Sequence, residues 1–435
     1  METRKGFYCV LMIGFIFLVL MGQAFCEGTA EIEKEEVRWV QMDQRPQDVA
    51  GINSLKKEFE LENPGIEITI EFLPWAGSVD QLTTWAIAGR PPECSQSEVA
   101  WLGSFVAADL VDDISDKVKE YPYIYDYYKV PREAAEIDGK WYGLPWFCGV
   151  PIIYYNRQHF FEAGLTDQDV PETWVDLFVL KDKLTVDKNN DGIKDQYTWV
   201  WAGADDSGIY QLMRQARQRG AKVLDNRGRV MMNSEPWIRA LKFFKRTVET
   251  GVSPPDSLSI NYSARDRAFA EGYASMYIHH NWVNHAAWRM RDTDGNLTVG
   301  AAQIPYQKDL GPSSRNGEIG GSNLVIYSAA RNKEAAWKWI SFMSSPDGQK
   351  IWIENTMFTP TSVTVGDSAF VQNNPFIMAA IDSMNYTYTP EKVPGFDLFI
   401  YEDGRIIFQE FMGGKYSAEE AAKRMADRLS EMMKR

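Results

Sequence analysis

The stretch from Val37 to Phe72 constrains the fold of this 435-residue chain more than any other. Val37 to Met42 reads as a strand, and Asn53 to Leu61 reads as a helix closed by Asn63-Pro64-Gly65. Strict alternation follows. Ile66, Ile68, Ile70 and Phe72 point one way, with Glu67, Thr69 and Glu71 between them. A strand, a helix and a strand in that order imply a parallel pair joined by a right-handed crossover.

The alternation of strands and helices continues. Val150 to Tyr155 is a run of β-formers, and Thr173 caps a helix running to Leu184. Pro236, Trp237, Leu241, Phe244 and Val248 mark a helix that stops at Gly251. Ser322 to Tyr327 reads as a strand, and Asn332 to Met343 as a helix ended by Ser345-Pro346. Ser417 and Glu420 form a capping box for a last helix with the apolar stripe Ala421, Met425, Leu429 and Met432. The class is α/β, and the length calls for two domains.

The net charge of -14 argues against a nucleic-acid partner, which needs a basic surface. Trp is heavily used, 15 in all, and several stand beside Pro and Gly, where a ring can offer a flat apolar face to a ligand. Arg4 and Lys5, then an apolar run from Phe7 to Met21, make residues 1–26 an export signal. Gly22-Gln23-Ala24 and Ala24-Phe25-Cys26 both offer cleavage sites, and lipidation of Cys26 is an alternative. The product is expected outside the cytoplasm, in the periplasm or on the extracellular face of the membrane. Cys94 and Cys148 are read as buried free thiols, with a disulfide between them as the other option.

A series of short motifs along most of the mature chain resembles the family 1 extracellular solute-binding proteins, the maltose-binding-protein-like group. It begins with Phe72-Leu73-Pro74-Trp75, Ala88-Gly89-Arg90-Pro91-Pro92 and Gly143-Leu144-Pro145. Tyr154-Tyr155-Asn156-Arg157, Phe161-Glu162-Ala163-Gly164-Leu165 and Pro171-Glu172-Thr173-Trp174 come next, then Asp187 to Tyr197. Phe269-Ala270-Glu271-Gly272, Gly320-Gly321-Ser322-Asn323 and Ala335 to Ile340 complete it. Two positions depart from the family pattern: Glu93 follows Pro92 where Asp is usual, and Asn281 precedes Trp282 where Gly is common.

The resemblance implies a periplasmic-binding-protein-like fold: two α/β lobes, a multi-strand hinge and a ligand cleft between them. The first lobe would take residues 31–147 and 303–355, and the second 150–300 and 358–435. Crossings would fall near Trp146–Pro151, Val299–Ile304 and Asn355–Thr361, each supplied with Pro or Gly. The implied activity is non-enzymatic: a monomer captures a sugar or oligosaccharide and delivers it to the permease of an ABC importer, with no cofactor required. A secreted glycoside hydrolase, or a protein of the same fold binding a polyamine or another non-sugar solute, are the alternatives.

A sugar asks for an aromatic ring against its C–H face and polar groups around its hydroxyl rim. The ring candidates are Trp75, at a strand end after Pro74; Trp146, in the first crossing; Trp201, two residues beyond Trp199; and Trp282. For each the alternative is packing in a core or a hinge. Of Trp199 and Trp201, one is expected to point into the core. Polar candidates are Gln41, Asp43, Glu98, Asn281, Ser322 and Asn323, with Asp205 and Asp206 read singly as solvated loop residues. Gly321 would let backbone approach the ligand. Arg45 is read as a surface ion-pair residue, with contact to an acidic sugar or a phosphate as the alternative.

Asp187, Asn189, Asp191, Ile193 and Asp195 match the front of an EF-hand loop around Gly192. Thr198 stands where the closing Glu belongs, so Gln196 would have to substitute, and the alternative to structural calcium is an Asx-rich turn. His279, His280 and His285 are read as ordinary polar contacts, not metal ligands.

Overall fold

A computed structural model of the chain describes residues 34–390 and 395–434. The proposed signal segment, with Cys9 and Cys26, lies outside the described residues. Ten strands carry the architecture. In chain order they are β1 (Glu35–Gln41), β2 (Ile66–Phe72), β3 (Cys94–Glu98), β4 (Leu144–Gly149), β5 (Pro151–Asn156), β6 (Tyr197–Val200), β7 (Ala274–His280), β8 (Val299–Gln303), β9 (Gly320–Ile326) and β10 (Thr359–Pro360). One sheet has the order β10-β4-β9-β3-β1-β2, the other β8-β5-β7-β6.

The opening pair is parallel and in full register, from Glu35 opposite Ile66 to Gln41 opposite Phe72. The alternation in β2 fades along the strand. Ile66 and Ile68 are buried, whereas Phe72, at the end of this edge strand, is 36% exposed.

Strand periodicity distributes side chains to two faces. In β1, Val37 and Trp39 join a core with Trp146, Trp339 and Trp352, while Val40 and the following Met42 join one with Trp101 and Phe105. Leu324 and Ile326 in β9 take the first side, and Val325 and Tyr327 the second. The second lobe repeats this scheme: Ile153 and Tyr155 of β5 face one core, and Ile152 and Tyr154 face another. Trp199 and Trp201 lie together in the larger core, both essentially unexposed. Residues two apart share a strand face, so the expectation that only one would point inward is corrected.

Helix starts follow cap chemistry. The first helix, Pro46–Glu62, begins seven residues before the expected Asn53. The Asp48 carboxylate accepts from the Arg45 backbone N–H at 2.9 Å, and Pro46 needs no N–H partner at the first position. Thr173 precedes helix Trp174–Leu184, and its backbone N–H donates to Asp176 at 2.8 Å. Ser417 caps Ala418–Met432 by accepting the Glu420 N–H at 3.1 Å, and Ala421, Met425 and Leu429 are buried in the second lobe.

The chain leaves the first sheet between Gly149 and Pro151, where β4 passes directly into β5. The other two crossings fall later in the sequence than expected. Strand β8 pairs with β5, and Gln307 donates to Gln215 and Gln218 of the second lobe, so 303 does not begin a first-lobe segment. The chain returns to the first sheet only at β9. Likewise β10 pairs with β4, and Val365 and Val371 stay in the first lobe's core. The final passage follows them, near helix Pro375–Met384, not at 355–361. Pro and Gly mark places where a chain can turn; packing decides which of them are crossings.

Candidate functional site

Ligands of open α/β sheets bind beyond the carboxyl ends of the strands. In the first lobe those ends, after β1, β2 and β3, carry Asp43, Trp75 and Glu98. The Trp75 indole N–H donates to Asp43 Oδ1 at 3.1 Å. Gln96 Nε2 donates to Asp43 Oδ2 at 2.7 Å and to Ser322 Oγ at 2.8 Å, while Gln96 Oε1 accepts the Met42 N–H at 3.0 Å. Three strands are thereby bound into one polar platform. Trp75 lies at its rim, 39% exposed, with its ring against Trp101 at 5.5 Å. Burial raises the Asp43 carboxyl to about 6; the Asp48 charge adds to the rise, and Arg45, Gln96 and Trp75 oppose it.

The second lobe meets this platform from across the cleft. Five residues, Phe399–Asp403, form a π-helical turn, a geometry often found at functional sites. From it the Tyr401 hydroxyl donates to Glu98 Oε2 at 3.0 Å. Burial and the Glu98 charge hold the Tyr401 hydroxyl well above its ordinary range. Asp206 lies in the same neighbourhood, its charge felt by both Tyr210 and Tyr401. Burial and then the Asp205 carboxylate raise Asp206 to about 6. Asp205 itself accepts the Tyr262 N–H at 2.6 Å and tethers helix Tyr262–Ala270. Near the hinge, Arg45 Nη1 reaches from the first lobe to the Trp282 carbonyl at 2.6 Å.

The residues nominated from sequence divide into three groups. Asp43, Trp75, Glu98 and Ser322 share the platform. Asn281 and Trp282 belong to the hinge corner: Asn281 Oδ1 accepts the Val150 N–H at 2.9 Å, and the Trp282 ring packs on Gly149, Phe147 and Phe358. The remainder face elsewhere. Trp146 is fully buried, 4.3 Å from the Trp352 ring centroid, and Trp201 is fully buried with its N–H on Thr247 Oγ1. Neither can offer a face to a guest. Gln41 is buried and accepts from the Trp39 indole at 3.1 Å. Asn323 turns to the opposite sheet face from Ser322 and holds the Ala134 carbonyl at 3.1 Å. Gly321 (φ 114°) is required by its neighbour strand, since a Cβ there would lie 2.4 Å from the Phe147 oxygen.

Sequence reading missed Gln96, Tyr401 and the reach of Arg45 to the Trp282 carbonyl. Arg45 carried no motif, and Tyr401 lies over three hundred residues from its partner. The run Cys94-Ser95-Gln96-Ser97-Glu98, a buried strand of small and polar residues, was the one available signal for Gln96.

The Asp187–Asp195 loop uses its side chains on its own backbone. Asp187 accepts from the Asp191 and Gly192 N–H groups, and Asp191 Oδ1 accepts from the Ile193 N–H. Asn189 Oδ1 accepts the Asp191 N–H, and Asp195 accepts the Lys188 N–H. The Gln196 amide nitrogen donates to the Leu184 carbonyl at 3.0 Å and to Ser275 Oγ at 3.1 Å. Among the described residues no three His, Cys, Asp or Glu side chains are gathered to hold a metal. His279 pairs with Asp266 at 3.4 Å and His280 with Glu318 at 3.5 Å. Cys94 and Cys148 are buried free thiols. Among the described residues no helix is long and apolar enough to cross a membrane.

Known proteins share this fold. The GacH receptor of Streptomyces glaucescens, solved unliganded and with acarbose, superimposes with a TM-score of 0.79 at 19% identity, covering 92% of this chain and 99% of that one. A maltotriose-binding protein of Pyrococcus abyssi is 23% identical over 354 residues, 80% of this chain and 72% of the relative. The sn-glycerol-3-phosphate-binding periplasmic protein UgpB of Escherichia coli (strain K12) is 21% identical over 344 residues, 74% and 75% of the two chains. The family model of the bacterial extracellular solute-binding proteins matches residues 44–350, and with two lobes enclosing a polar, aromatic-rimmed cleft the chain belongs to that family.

Proposed function

We propose that this chain captures a saccharide between its lobes, without altering it, and delivers it to the permease of an ABC importer after export. The observation that carries the reading is the platform itself: an exposed indole hydrogen-bonded to a buried carboxylate, beside Gln96 and Ser322. Indole faces stack on the apolar side of a sugar ring, and a carboxylate accepts from hydroxyls. Tyr401 and Tyr262 would close over the guest from the second lobe, excluding water and strengthening those bonds. The maltotriose- and acarbose-binding relatives favour the same ligand class.

Isothermal titration against maltotriose, other neutral oligosaccharides, sn-glycerol 3-phosphate and a polyamine tests the assignment. Saturable binding of a neutral saccharide is expected. Binding of the polyamine or the phosphate ester alone would remove the saccharide reading. Incubation with labelled oligosaccharide should return it intact, and turnover would refute the transport role.

A further inference from the structure

The corner Asn281–Asn284, at the end of β7, touches more of the hinge than its length suggests. Asn281 Oδ1 accepts the N–H of Val150, the residue between β4 and β5 at the first crossing. The Trp282 ring lies so close to Gly149 that a Cβ there would sit 2.2 Å from Cζ2, and a Cβ on Gly320 would sit 3.3 Å from the same atom. One indole thus rests on the first crossing and on the start of β9, where the chain re-enters the first sheet. Its ring centroid lies 5.9 Å from that of Phe147 and 5.1 Å from that of Phe358, both near-perpendicular to it and both in the first lobe's core. Asn284 Nδ2 donates to the Met357 carbonyl at 2.9 Å, just before β10.

Arg45 completes the corner from the cleft side. Its Nε and Nη2 bind both oxygens of the buried Asp48, at 2.7 and 3.1 Å, which fixes the plane of the guanidinium. The ring of Phe358 supports it at 4.9 Å. The remaining Nη1 holds the Trp282 carbonyl. Arg45 follows Asp43 by two residues, and each carries electrostatic weight on the other. A guest that donates to Asp43 therefore acts beside the guanidinium that ties the lobes.

We infer that Arg45 and Trp282 are positioning residues that set the balance between open and closed lobes, and that Trp282 acts as a strut against the hinge instead of a platform for the guest. The inference rests on the proposed capture between lobes, but its test does not need the ligand. Closure-competent molecules are the ones that bind, so a smaller closed fraction weakens every ligand by one common factor.

Nitroxide labels at Lys57→Cys in the first lobe and Val179→Cys in the second, both exposed, report the lobe separation by pulsed EPR; Cys94 and Cys148 are buried. In ligand-free protein, Arg45→Gln and Trp282→Ala are expected to lengthen the distance distribution, and Trp282→Phe to restore part of it. Every saccharide that binds should weaken by the same factor, roughly tenfold for loss of a charge-assisted hydrogen bond. Trp75→Ala should leave the distance unchanged. An unchanged distribution in both Arg45→Gln and Trp282→Ala overturns the inference, as does an affinity loss at Trp282 that differs between ligands, the mark of a ring touching the guest. If no saccharide binds the parent protein, the proposed function fails while the distance measurement still decides the strut.

Discussion

Asp43 should make the ligand-free protein less stable as pH rises, and Asp43→Asn should abolish that slope. The unperturbed carboxyl titrates at 3.8; in the folded protein burial brings it to about 6. A raised carboxyl pKa means that the folded state holds its proton through a range where the unfolded chain has lost it. Stability from this group is therefore greatest below about 4, declines between about 4 and 6, and stays low above. At 1.36 kcal/mol per pKa unit the decline is about 3 kcal/mol. Asp43 is only 9% exposed, so solvent screening removes little of this. Asn keeps the size and one acceptor for Trp75 or Gln96 but has no charge to desolvate. Asp206 is also raised to about 6, yet it is common to both proteins and cancels in their difference. Parallel urea denaturation of the two proteins from pH 4 to pH 7 should show Asp43→Asn gaining on the parent by up to that amount. A saccharide donating to the ionised carboxylate would show the reverse: affinity in the parent falls as pH drops through about 6, and Asp43→Asn binds weakly throughout. A flat stability difference across this range would refute the argument that the carboxylate is kept for the ligand at the expense of the fold.

Three further outcomes follow from the packing. Trp146→Ala and Trp201→Ala should each cost about 3–5 kcal/mol in denaturation while the folded fraction binds as before, whereas Trp75→Ala should lose affinity with little loss of stability. Arg214 and Glu318 form a buried pair, with Nε to Oε2 at 3.2 Å, beside the return crossing. Glu318→Ala should cost about 3–5 kcal/mol, and the double change Arg214→Met with Glu318→Leu should recover most of it; an undiminished loss would mean that the hinge needs the ion pair itself. Millimolar calcium should leave the melting temperature unchanged, because the Asp187–Asp195 side chains already bond backbone amides; a clear rise would make the loop an ion site.

Local pattern made much of the architecture legible. Period-2 alternation in Ile66–Phe72, the caps at Thr173 and Ser417 and the apolar stripe of the last helix each depend on neighbours a few residues away, so they survive without knowledge of the rest of the chain. The same logic fails where two stretches compete for one role. Pro and Gly near 299–305 and at 360 were equally good turning points as far as sequence goes. Only the pairing of β8 with β5, and of β10 with β4, put the crossings beyond them.

The amino-acid sequence alone determined an α/β chain with strand–helix–strand units and aromatic residues near turns, because backbone sterics and burial act over short range. Tertiary structure alone decided which rings stand free and which are sealed in a core. Trp75 and Trp146 each adjoin a proline, yet one stands at the end of an edge strand and the other is sealed against Trp39 and Trp352. It also decided that Gln96 would join Asp43 to Ser322, that Tyr401 would reach Glu98, and that Arg45 would hold Trp282. Those pairs are separated by 53 to 303 residues, and only the stacking order of strands and the facing of two lobes brings them within hydrogen-bond distance.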